Sequence, residues 1–190
     1  IYAGGTPDRS NEAYWDGGNI PWINSGAVNQ RYITEPTAYI TAVGYAGSSA
    51  KMVPEGAVVI ALAGQGKTKG MVAQLGISTS CNQSMAAICP SPLLDARYLL
   101  YWLEINYQNI RNLAGGNQRD GLNLEMVGSI ECPLPPKLEQ QSIVAFLDED
   151  DQRHSRIISL TTEAINRLKE YRNALITAAV TGEIDVTVNK

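Results

Sequence analysis

The sequence lacks the features that mark a membrane, secreted or metal-binding protein. Its 190 residues hold no basic-then-apolar signal segment and no apolar run near the roughly 18 residues of a membrane span. Its three cysteines, Cys81, Cys89 and Cys132, have no CxxC spacing, which favours buried, reduced thiols over disulfides or metal ligation. We expect a soluble, cytoplasmic protein with no membrane contact. Because the chain begins at Ile1 rather than at methionine, we also expect that a natural N-terminal stretch is missing.

An excess of positive charge is also absent. Residues 1–136 and residues 137–190 each carry a net charge of −2, which together give the −4 of the chain. A protein that binds nucleic acid tightly and alone usually has a positive balance, since each neutralised phosphate adds affinity through counterion release. If this chain binds DNA, its basic residues must be concentrated on one face, or a partner must supply much of the affinity.

Glycine and proline are absent from the 45 residues between Pro136 and Gly182. A proline pair suits a first helical turn and a glycine suits a left-handed C-cap, so this stretch is predicted to be one long helix. At about 1.5 Å per residue it spans roughly 65–70 Å, more than twice the diameter of a compact domain built from the remaining residues. We therefore expect it to protrude.

The apolar residues of this helix fall on one stripe with heptad spacing, and charged residues occupy the other faces. No second helix of similar length is predicted, so the stripe needs another protein or a second copy of this one. The alternative is a helix folded back over its own domain. The predicted interface residues are Leu147, His154, Ile157, Thr161, Ala164, Leu168, Tyr171 and Leu175.

The residues before the helix are predicted to form one small domain of strands and helices. The continuous apolar run at 57–63 is the best candidate for a central strand, and a polar loop separates it from a second strand at 71–75. Residues 94–113 have helical spacing, with Asp95 as the N-cap. Residues 31–46 fit either strands or a short helix, and residues 77–89 fit one or two strands.

The polar loop resembles part of a phosphate-binding P-loop, because Gly66-Lys67-Thr68 matches the end of that motif. However, Ala61 stands where the first glycine is required, and a β-compatible run follows instead of the helix that would hold the phosphate. We therefore predict a hairpin from which Gln65, Lys67 and Lys69 project towards base edges or phosphates.

Aromatic and amide residues of the domain are assigned to its core. Trp15 and Trp22 flank a glycine turn and are expected to pack the rim of a small core rather than to stack on bases. Residues 20–23 are interpreted as a short buried edge. Asn82 and Gln83 lie inside an apolar stretch, and we interpret them as satisfied core amides.

Three groups of segments resemble the specificity subunit of type I restriction–modification systems. They appear in the family's order and cover the chain from end to end, and the last two groups are the specific ones. The segments are Gly4-Gly5-Thr6-Pro7, Tyr14-Trp15 and Ile20-Pro21-Trp22-Ile23; Leu134-Pro135-Pro136-Lys137-Leu138-Glu139-Gln140 with Ile143 and Phe146-Leu147-Asp148; and Ala174-Leu175-Ile176-Thr177-Ala178-Ala179-Val180-Thr181-Gly182.

This resemblance implies an α+β fold. A small mixed-sheet target recognition domain (residues 1–136) would be followed by a single long helix (137–182) that pairs in a coiled coil, and by a C-terminal tail (183–190). In that family the domain reads one half of a split sequence in double-stranded DNA. The helix packs against a second such helix as a spacer and docks the modification (methyltransferase) subunits, and a restriction subunit completes the complex.

A full subunit of that family holds two recognition domains and two helices, whereas this chain carries one of each. It therefore resembles a half-subunit. Such a chain would either form a homodimer or, as part of a longer protein, pair with a second half-subunit. No internal repeat supplies the other half.

The residues that read bases cannot be carried over from the resemblance, so we select them by their chemistry. Each lies on a glycine-framed loop and has a side chain that can pair with guanine, adenine or phosphate. The predicted DNA-binding residues are Arg9, Ser10, Asn11, Asn24, Ser25, Gln65, Lys67, Lys69, Asn117, Gln118 and Arg119.

No catalytic residue, metal site or cofactor is predicted. Adenine methyl transfer needs an Asp/Asn-Pro-Pro-aromatic segment, whereas Pro135-Pro136 lies between Leu134 and Lys137. The consecutive acidic residues at 148–151 point around more than one face of a helix, which disfavours a metal site. Two alternatives stay open: a recognition domain of a single-chain methyltransferase–endonuclease, and a protein-interaction module that dimerises through its helix without binding DNA.

Overall fold

The computed structural model describes residues 1–64, 66–114 and 121–184. The chain divides into two units, Ile1–Ile143 and Val144–Lys190. The strands are β1 (Tyr2–Ala3), β2 (Ile20–Ile23), β3 (Tyr32–Ile33), β4 (Ala38–Ile40), β5 (Val58–Ala61), β6 (Val72–Leu75), β7 (Ser80–Cys81) and β8 (Met85–Ile88). The helices are α1 (Ala42–Ala46), α2 (Ala96–Ile105), α3 (Tyr107–Asn112), α4 (Leu124–Gly128) and α5 (Lys137–Val180), and 3₁₀ turns occupy Glu12–Tyr14 and Ser25–Asn29.

The larger of the two sheets has the order β1-β8-β5-β6-β3, so the predicted central strand β5 is indeed central. Its four residues are all buried, since both faces of the sheet are covered. Val59 and Ala61 join a core with Ile23 and Leu75, whereas Val58 and Ile60 face the helices. Burial on both faces explains why the sequence has a continuous apolar run here instead of alternation.

A smaller sheet has the order β4-β2-β7, with β2 antiparallel to β4 and parallel to β7. The interpretation of residues 20–23 as an edge was therefore wrong, because β2 is the middle strand. Pro21 has no N–H group to donate to a neighbouring strand, and its carbonyl oxygen accepts a hydrogen bond (2.9 Å) from Oγ of Ser80. Mixed parallel and antiparallel pairing in both sheets, together with the helices, confirms the predicted α+β class.

The predicted helix at 94–113 is present as two helices. Asp95 caps α2 as expected, since its carboxylate accepts hydrogen bonds from the N–H groups of Arg97 and Tyr98. The helix ends at Asn106, whose side-chain amide donates to the carbonyl of Trp102 (2.9 Å), and α3 begins one residue later. An asparagine that competes for a helix carbonyl is a local reason for the break.

The long helix α5 confirms the prediction from the missing glycines and prolines. Gly182, with φ of 78°, lies in the left-handed region just beyond its last turn. The contact boundary between the two units falls after Ile143, and Gln140, near the start of α5, is fully buried and bonded to the domain. Its side-chain amide donates to the carbonyls of Leu93 (2.9 Å) and Pro135 (2.8 Å) and accepts from the N–H of Asp95 (2.7 Å).

An ion pair lies beside this buried glutamine. Nζ of Lys137, in the first turn of α5, is 3.2 Å from Oδ2 of Asp95, the cap of α2. Burial alone would raise the pKa of Asp95, but the hydrogen bond from Lys137 and those from the capped N–H groups outweigh it, so the pKa lies below its usual value. The first turns of α5 are thus bonded to the start of α2.

The cysteines differ in their surroundings. Cys81 is buried as expected, and burial raises the pKa of its thiol to about 12. Cys89 is exposed, so the prediction of buried thiols was wrong for this residue. It follows the last residue of β8, where the chain leaves the sheet. No helix in the described part of the chain is both long and apolar enough to cross a membrane.

Candidate nucleic-acid interface

Several predicted loops meet at the turn between β7 and β8, which we call the β7–β8 turn (Asn82–Ser84). Strands β2 and β7 are parallel, so their carboxyl ends lie at the same edge of the small sheet. The N–H of Asn82 donates to the carbonyl of Ile23 (3.0 Å), which places Asn24 and Ser25 next to this turn.

The N-terminal loop (residues 4–18) lies against the same turn. The N–H groups of Gly4 and Gly5 donate to the carbonyls of Met85 (3.1 Å) and Cys81 (2.8 Å). A Cβ at Gly4 would lie 2.2 Å from the carbonyl oxygen of Cys81, so only glycine permits this approach. The hydroxyl of Thr6 then donates to the side-chain oxygen of Gln83.

The hairpin loop (residues 62–71, between β5 and β6) has its base at the β7–β8 turn as well. The N–H of Leu62 donates to the carbonyl of Ser84 (2.8 Å), and the N–H of Leu122 donates to the carbonyl of Leu62 (2.7 Å). The N-terminal loop, residues 24–25, the base of the hairpin loop and the segment from Gly121 are therefore neighbours. We call this region the loop end of the domain.

Arg9 lies on two aromatic rings at the loop end. Its Cζ atom is 4.2 Å from the ring centroid of Trp15 and 4.8 Å from that of Trp22. The two indoles meet edge to face, with centroids 5.2 Å apart. Trp22 is buried and donates from Nε1 to the carbonyl of Gly5 (3.0 Å), and it belongs to a small core with Ile40 and Ala50. The structural role expected for the tryptophans is confirmed, and a cation rests on them.

An open cleft of about 590 Å³ adjoins this arginine, with Glu12, Trp15 and Asp16 as its other lining residues. Among the described residues the guanidinium of Arg9 has no hydrogen-bond or ion-pair partner, and the residue is exposed. Its N–H groups are therefore available to an acceptor that enters from solvent.

Three other predicted residues serve local structure. Ser10 donates from its N–H (2.9 Å) and its hydroxyl (2.8 Å) to Oδ1 of Asp8, and these hydrogen bonds lower the pKa of that carboxyl group. The side-chain oxygens of Asn11 and Asn24 cap the two 3₁₀ turns by accepting from Ala13 (3.2 Å) and Gly26 (2.8 Å). Bidentate pairing with adenine needs both the oxygen and the nitrogen of the amide, so these caps compete with that role. Ser25 opens the second 3₁₀ turn and is half-buried.

The hairpin loop confirms the predicted strand, loop and strand, and β6 instead of a helix follows Gly66-Lys67-Thr68. Lys67 is exposed as expected. The expectation that Lys69 projects into solvent was wrong, because its side chain is only 3% exposed. A turn at residues 68–71, closed by a hydrogen bond from the N–H of Met71 to the carbonyl of Thr68 (3.0 Å), folds this residue inward.

Four predicted residues lie outside the described part of the chain, namely Gln65, Asn117, Gln118 and Arg119. The segment that follows the last three returns to the loop end at Gly121 and Leu122.

The interpretation of Asn82 and Gln83 as satisfied core amides was wrong. Gln83 is exposed in the β7–β8 turn, and Oδ1 of Asn82 is buried without a hydrogen-bond partner among the described residues. Gln83 is thus a candidate contact that we did not select. The signal was present, since Asn82-Gln83-Ser84 is a polar triplet of turn-forming character between two short apolar runs.

The predicted helix interface is largely exposed. Ile157, Leu168, Tyr171 and Leu175 are between 46% and 66% exposed, whereas Leu147 is half-buried. His154 lies in the stripe and pairs through Nδ1 with Oδ2 of Asp150 (3.0 Å). A hydrogen bond from Arg153 lowers the pKa of that same carboxyl group. Thr161 and Ala164 are exposed one turn or more further along the helix.

The described residues hold no group of three or more His, Cys, Asp or Glu side chains that could bind a metal ion. The acidic run at 148–151 is instead partly engaged in pairs along its own helix, such as Asp150 with Arg153.

Comparison with known proteins identifies the class of protein that this fold and loop end define. The family model described as the type I restriction modification DNA specificity domain matches residues 1–170. The chain therefore belongs to this family of DNA specificity domains. The membership confirms the resemblance found in the sequence, and with it the expected class of a specificity chain rather than a catalytic one.

Two curated relatives are named as specificity subunits of type I restriction enzymes. The chain is 27% identical over 174 residues to the type I restriction enzyme EcoR124I/EcoR124II specificity subunit of Escherichia coli. The aligned region covers 90% of this chain and 43% of that protein. The chain is 26% identical over 193 residues to the HindI specificity subunit of Haemophilus influenzae, covering 97% and 39%. The chain thus spans about two fifths of the length of these relatives.

Solved structures share the fold. One similar chain comes from a structure that concerns complex assembly and conformational transition of the type I R-M system. Its TM-score is 0.74 at 22% identity, and the match covers 94% of this chain and 42% of that one. The HsdS subunit from Thermoanaerobacter tengcongensis gives 0.67 at 23% identity, covering 96% and 42%. These similarities confirm an α+β domain followed by a long helix.

Proposed function

We propose that this chain is one half of a type I specificity unit, which reads one half of a bipartite DNA target. Residues 1–136 form the target recognition domain, residues 137–182 form the spacer and docking helix, and residues 183–190 form a tail. The observation that carries the proposal is the loop end, where loops from four parts of the sequence meet around the β7–β8 turn. Family membership supports DNA as its ligand.

The contacts we assign to DNA come from side chains that local structure leaves available. Exposed Lys67 suits a phosphate, and Arg9 on its indoles suits a guanine edge or a phosphate. The domain has a net charge of −2, so these few cations supply only part of the affinity. The rest would come from modification subunits that clamp the duplex from the other side.

The proposed partners follow from family membership and from the exposed apolar stripe of α5. We infer that the helix pairs with a second copy or with a second half-subunit, and that the pair docks modification subunits. A restriction subunit would join the full complex. Because its substrate would be chromosomal or invading DNA, the complex would act in the cytoplasm.

The test is fluorescence anisotropy with a labelled random duplex over a series of salt concentrations, with and without modification subunits. We expect log affinity to fall linearly with log salt, and Lys67→Ala to reduce the magnitude of that slope by about 0.9, the loss of one phosphate contact. Lys169→Ala, which removes the same charge from an exposed position on α5, should leave the slope unchanged. Equal slopes for the wild type and both variants would contradict the assignment of Lys67.

A further inference from the structure

Two side chains of α3 hold the backbone of the hairpin loop. Arg111 donates from one terminal nitrogen to the carbonyl of Lys69 (3.0 Å) and from the other to the carbonyl of Gly66 (2.8 Å). The hydroxyl of Tyr107 donates to the carbonyl of Lys67. Arg111 also donates to the hydroxyl oxygen of Tyr107 (2.9 Å), which links the two side chains. Three carbonyls of one short loop are therefore fixed from a single helix face.

The sequence of α3 produces this arrangement. Residues 107 and 111 are four apart, so their side chains lie on the same face of the helix. The guanidinium group offers several donors in a rigid planar fork, which lets one side chain bond two loop carbonyls and the tyrosine together. Gly70 leaves room for it, because a Cβ there would lie 3.0 Å from Cγ of Arg111.

The loop's own backbone hydrogen bonds fix it only in part, through the turn at residues 68–71. Gly64, Gly66 and Gly70 all have positive φ angles, and glycines give a free loop many conformations. A cleft of about 310 Å³, lined by Lys67, Met71 and Tyr107 among others, lies beside the loop, so apolar packing on this side is incomplete. The hydrogen bonds of Arg111 and Tyr107 therefore contribute much of the order of residues 66–70.

We propose that Arg111 and Tyr107 are positioning residues for sequence recognition, which fix the direction in which Lys67 and its neighbours meet the duplex. This inference rests on the proposed function. Neither side chain is required to contact DNA. A loop that is fixed before binding loses less conformational entropy when it binds, and it presents its side chains in one geometry.

The charge-conserving variant Arg111→Lys tests the proposal, because lysine cannot bond two carbonyls and the tyrosine in a planar fork. We expect faster amide hydrogen exchange at residues 66–70 in the free protein, with exchange in β5 and β8 unchanged. A duplex selected from a random library by the wild-type chain with its modification subunits, here called the enriched duplex, serves as the specific ligand. We also expect the preference for the enriched duplex over a random duplex to fall about tenfold, as when one bidentate base contact is lost. Affinity for random duplex should fall less than affinity for the enriched duplex, and its salt slope should stay the same because the charge is conserved.

Tyr107→Phe is the second variant, since it removes a single hydroxyl group and keeps the ring, and it should produce the same changes to a smaller extent. Asn112→Ala, at an exposed position near the end of α3, is the control and should change neither exchange nor preference.

Three results would overturn the proposal in distinguishable ways. If Arg111→Lys loosens the loop yet keeps the full preference for the enriched duplex, the clamp is structural only and the positioning role fails alone. If the wild type itself prefers no duplex, the proposed function fails, and the inference fails with it. Unchanged exchange at residues 66–70 in both variants would show that the clamp does not order the loop.

Discussion

Among the residues that the structure describes, aromatic rings rather than an acidic side chain hold Arg9. Its guanidinium lies over Trp15 and Trp22, and those rings are fixed by their own hydrogen bonds to Asp8 and Gly5. Stacking of this kind contributes roughly 0.5–2 kcal/mol and restrains the orientation of the planar group. A restrained arginine with available N–H groups is suited to bidentate pairing with guanine.

Substitution of Arg9 by lysine should therefore affect specificity more than affinity. The charge is conserved, so binding to random duplex should be nearly unchanged. Preference for the enriched duplex should fall about tenfold, because lysine has no planar fork to present to a guanine. Competition anisotropy measures both quantities. Arg156→Lys, on an exposed part of α5, is the matched control. An Arg9→Lys protein with full preference would show that Arg9 does not read a base.

The junction between α2 and α5 depends on one buried glutamine. Gln140 is 0% exposed, and its side-chain amide bonds two carbonyls and one N–H group. Buried polar groups left without partners each cost about 1–3 kcal/mol. The side chain therefore contributes to domain stability far more than an ordinary residue in the first turns of a helix.

Gln140→Ala should accordingly lower the free energy of domain unfolding by about 2–4 kcal/mol, given the groups it leaves unpaired. Urea unfolding followed by tryptophan fluorescence measures this, since all tryptophans precede α5. Gln141→Ala is a closely matched control, because the adjacent glutamine is exposed and should change stability little. Similar losses in both variants would contradict the assigned role of the buried amide.

The same junction makes stability depend on pH. The pKa of Asp95 in the folded protein lies below its usual value of 3.8. The stabilisation by its carboxylate is therefore present above pH 3.8 and is lost as the pH falls through the lowered pKa. Asp95→Asn keeps a capping side chain but removes the charge, so the variant should be less stable than the wild type at pH 7.

The difference in stability between the wild type and Asp95→Asn should shrink as the pH is lowered below about 4, where the carboxyl group becomes protonated. Urea unfolding midpoints at several pH values measure it. A difference that stays constant down to pH 2.5 would show that the charge of Asp95 makes no contribution.

Elements with strong local signals were predicted correctly from the sequence. The absence of glycine and proline predicted α5, and the continuous apolar run predicted β5. Both patterns arise from burial and backbone geometry along a single segment of the chain. The break at Asn106 and the central position of β2 were missed. Each depends on contacts with residues that are distant in the sequence or on competition by one side chain, such as the hydrogen bond from Ser80 to Pro21.

The candidate site was predictable only in part for the same reason. Polar loops framed by glycine were found, and the structure brings several of them together around the β7–β8 turn. Which side chains remain available could not be read from residue type. Asn11 and Asn24 cap 3₁₀ turns, and Lys69 folds inward, whereas Gln83 lies exposed. Those outcomes depend on local backbone geometry that residue identity alone does not determine.

For the whole molecule, the exposed apolar stripe of α5 is the feature on which the proposed pairing rests. Leu168 is 66% exposed and Leu175 is 46% exposed, and each fully buried leucine side chain contributes roughly 1.5–3 kcal/mol. A pair of such helices would bury this surface along many turns, which agrees with the proposed second copy or second half-subunit.

Leu168→Glu combined with Leu175→Glu should abolish pairing, because two charges would enter the apolar seam. Light scattering should give the mass of a single chain, while the thermal transition of the domain stays in place. Asn166→Glu with Asn173→Glu adds the same charges on the opposite face and should pair normally. A stripe variant that keeps the mass of a dimer, or that loses the transition of the domain, would count against the assigned interface.

We propose that the loop end reads a DNA sequence. The most direct measurement is selection of duplexes from a random library by this chain with its modification subunits, followed by sequencing. We predict enrichment of one short half-site, present twice in inverted orientation at a fixed separation when two copies pair, since a two-fold pair reads a two-fold target. A selected pool indistinguishable from the starting library would show that the loop end reads no sequence.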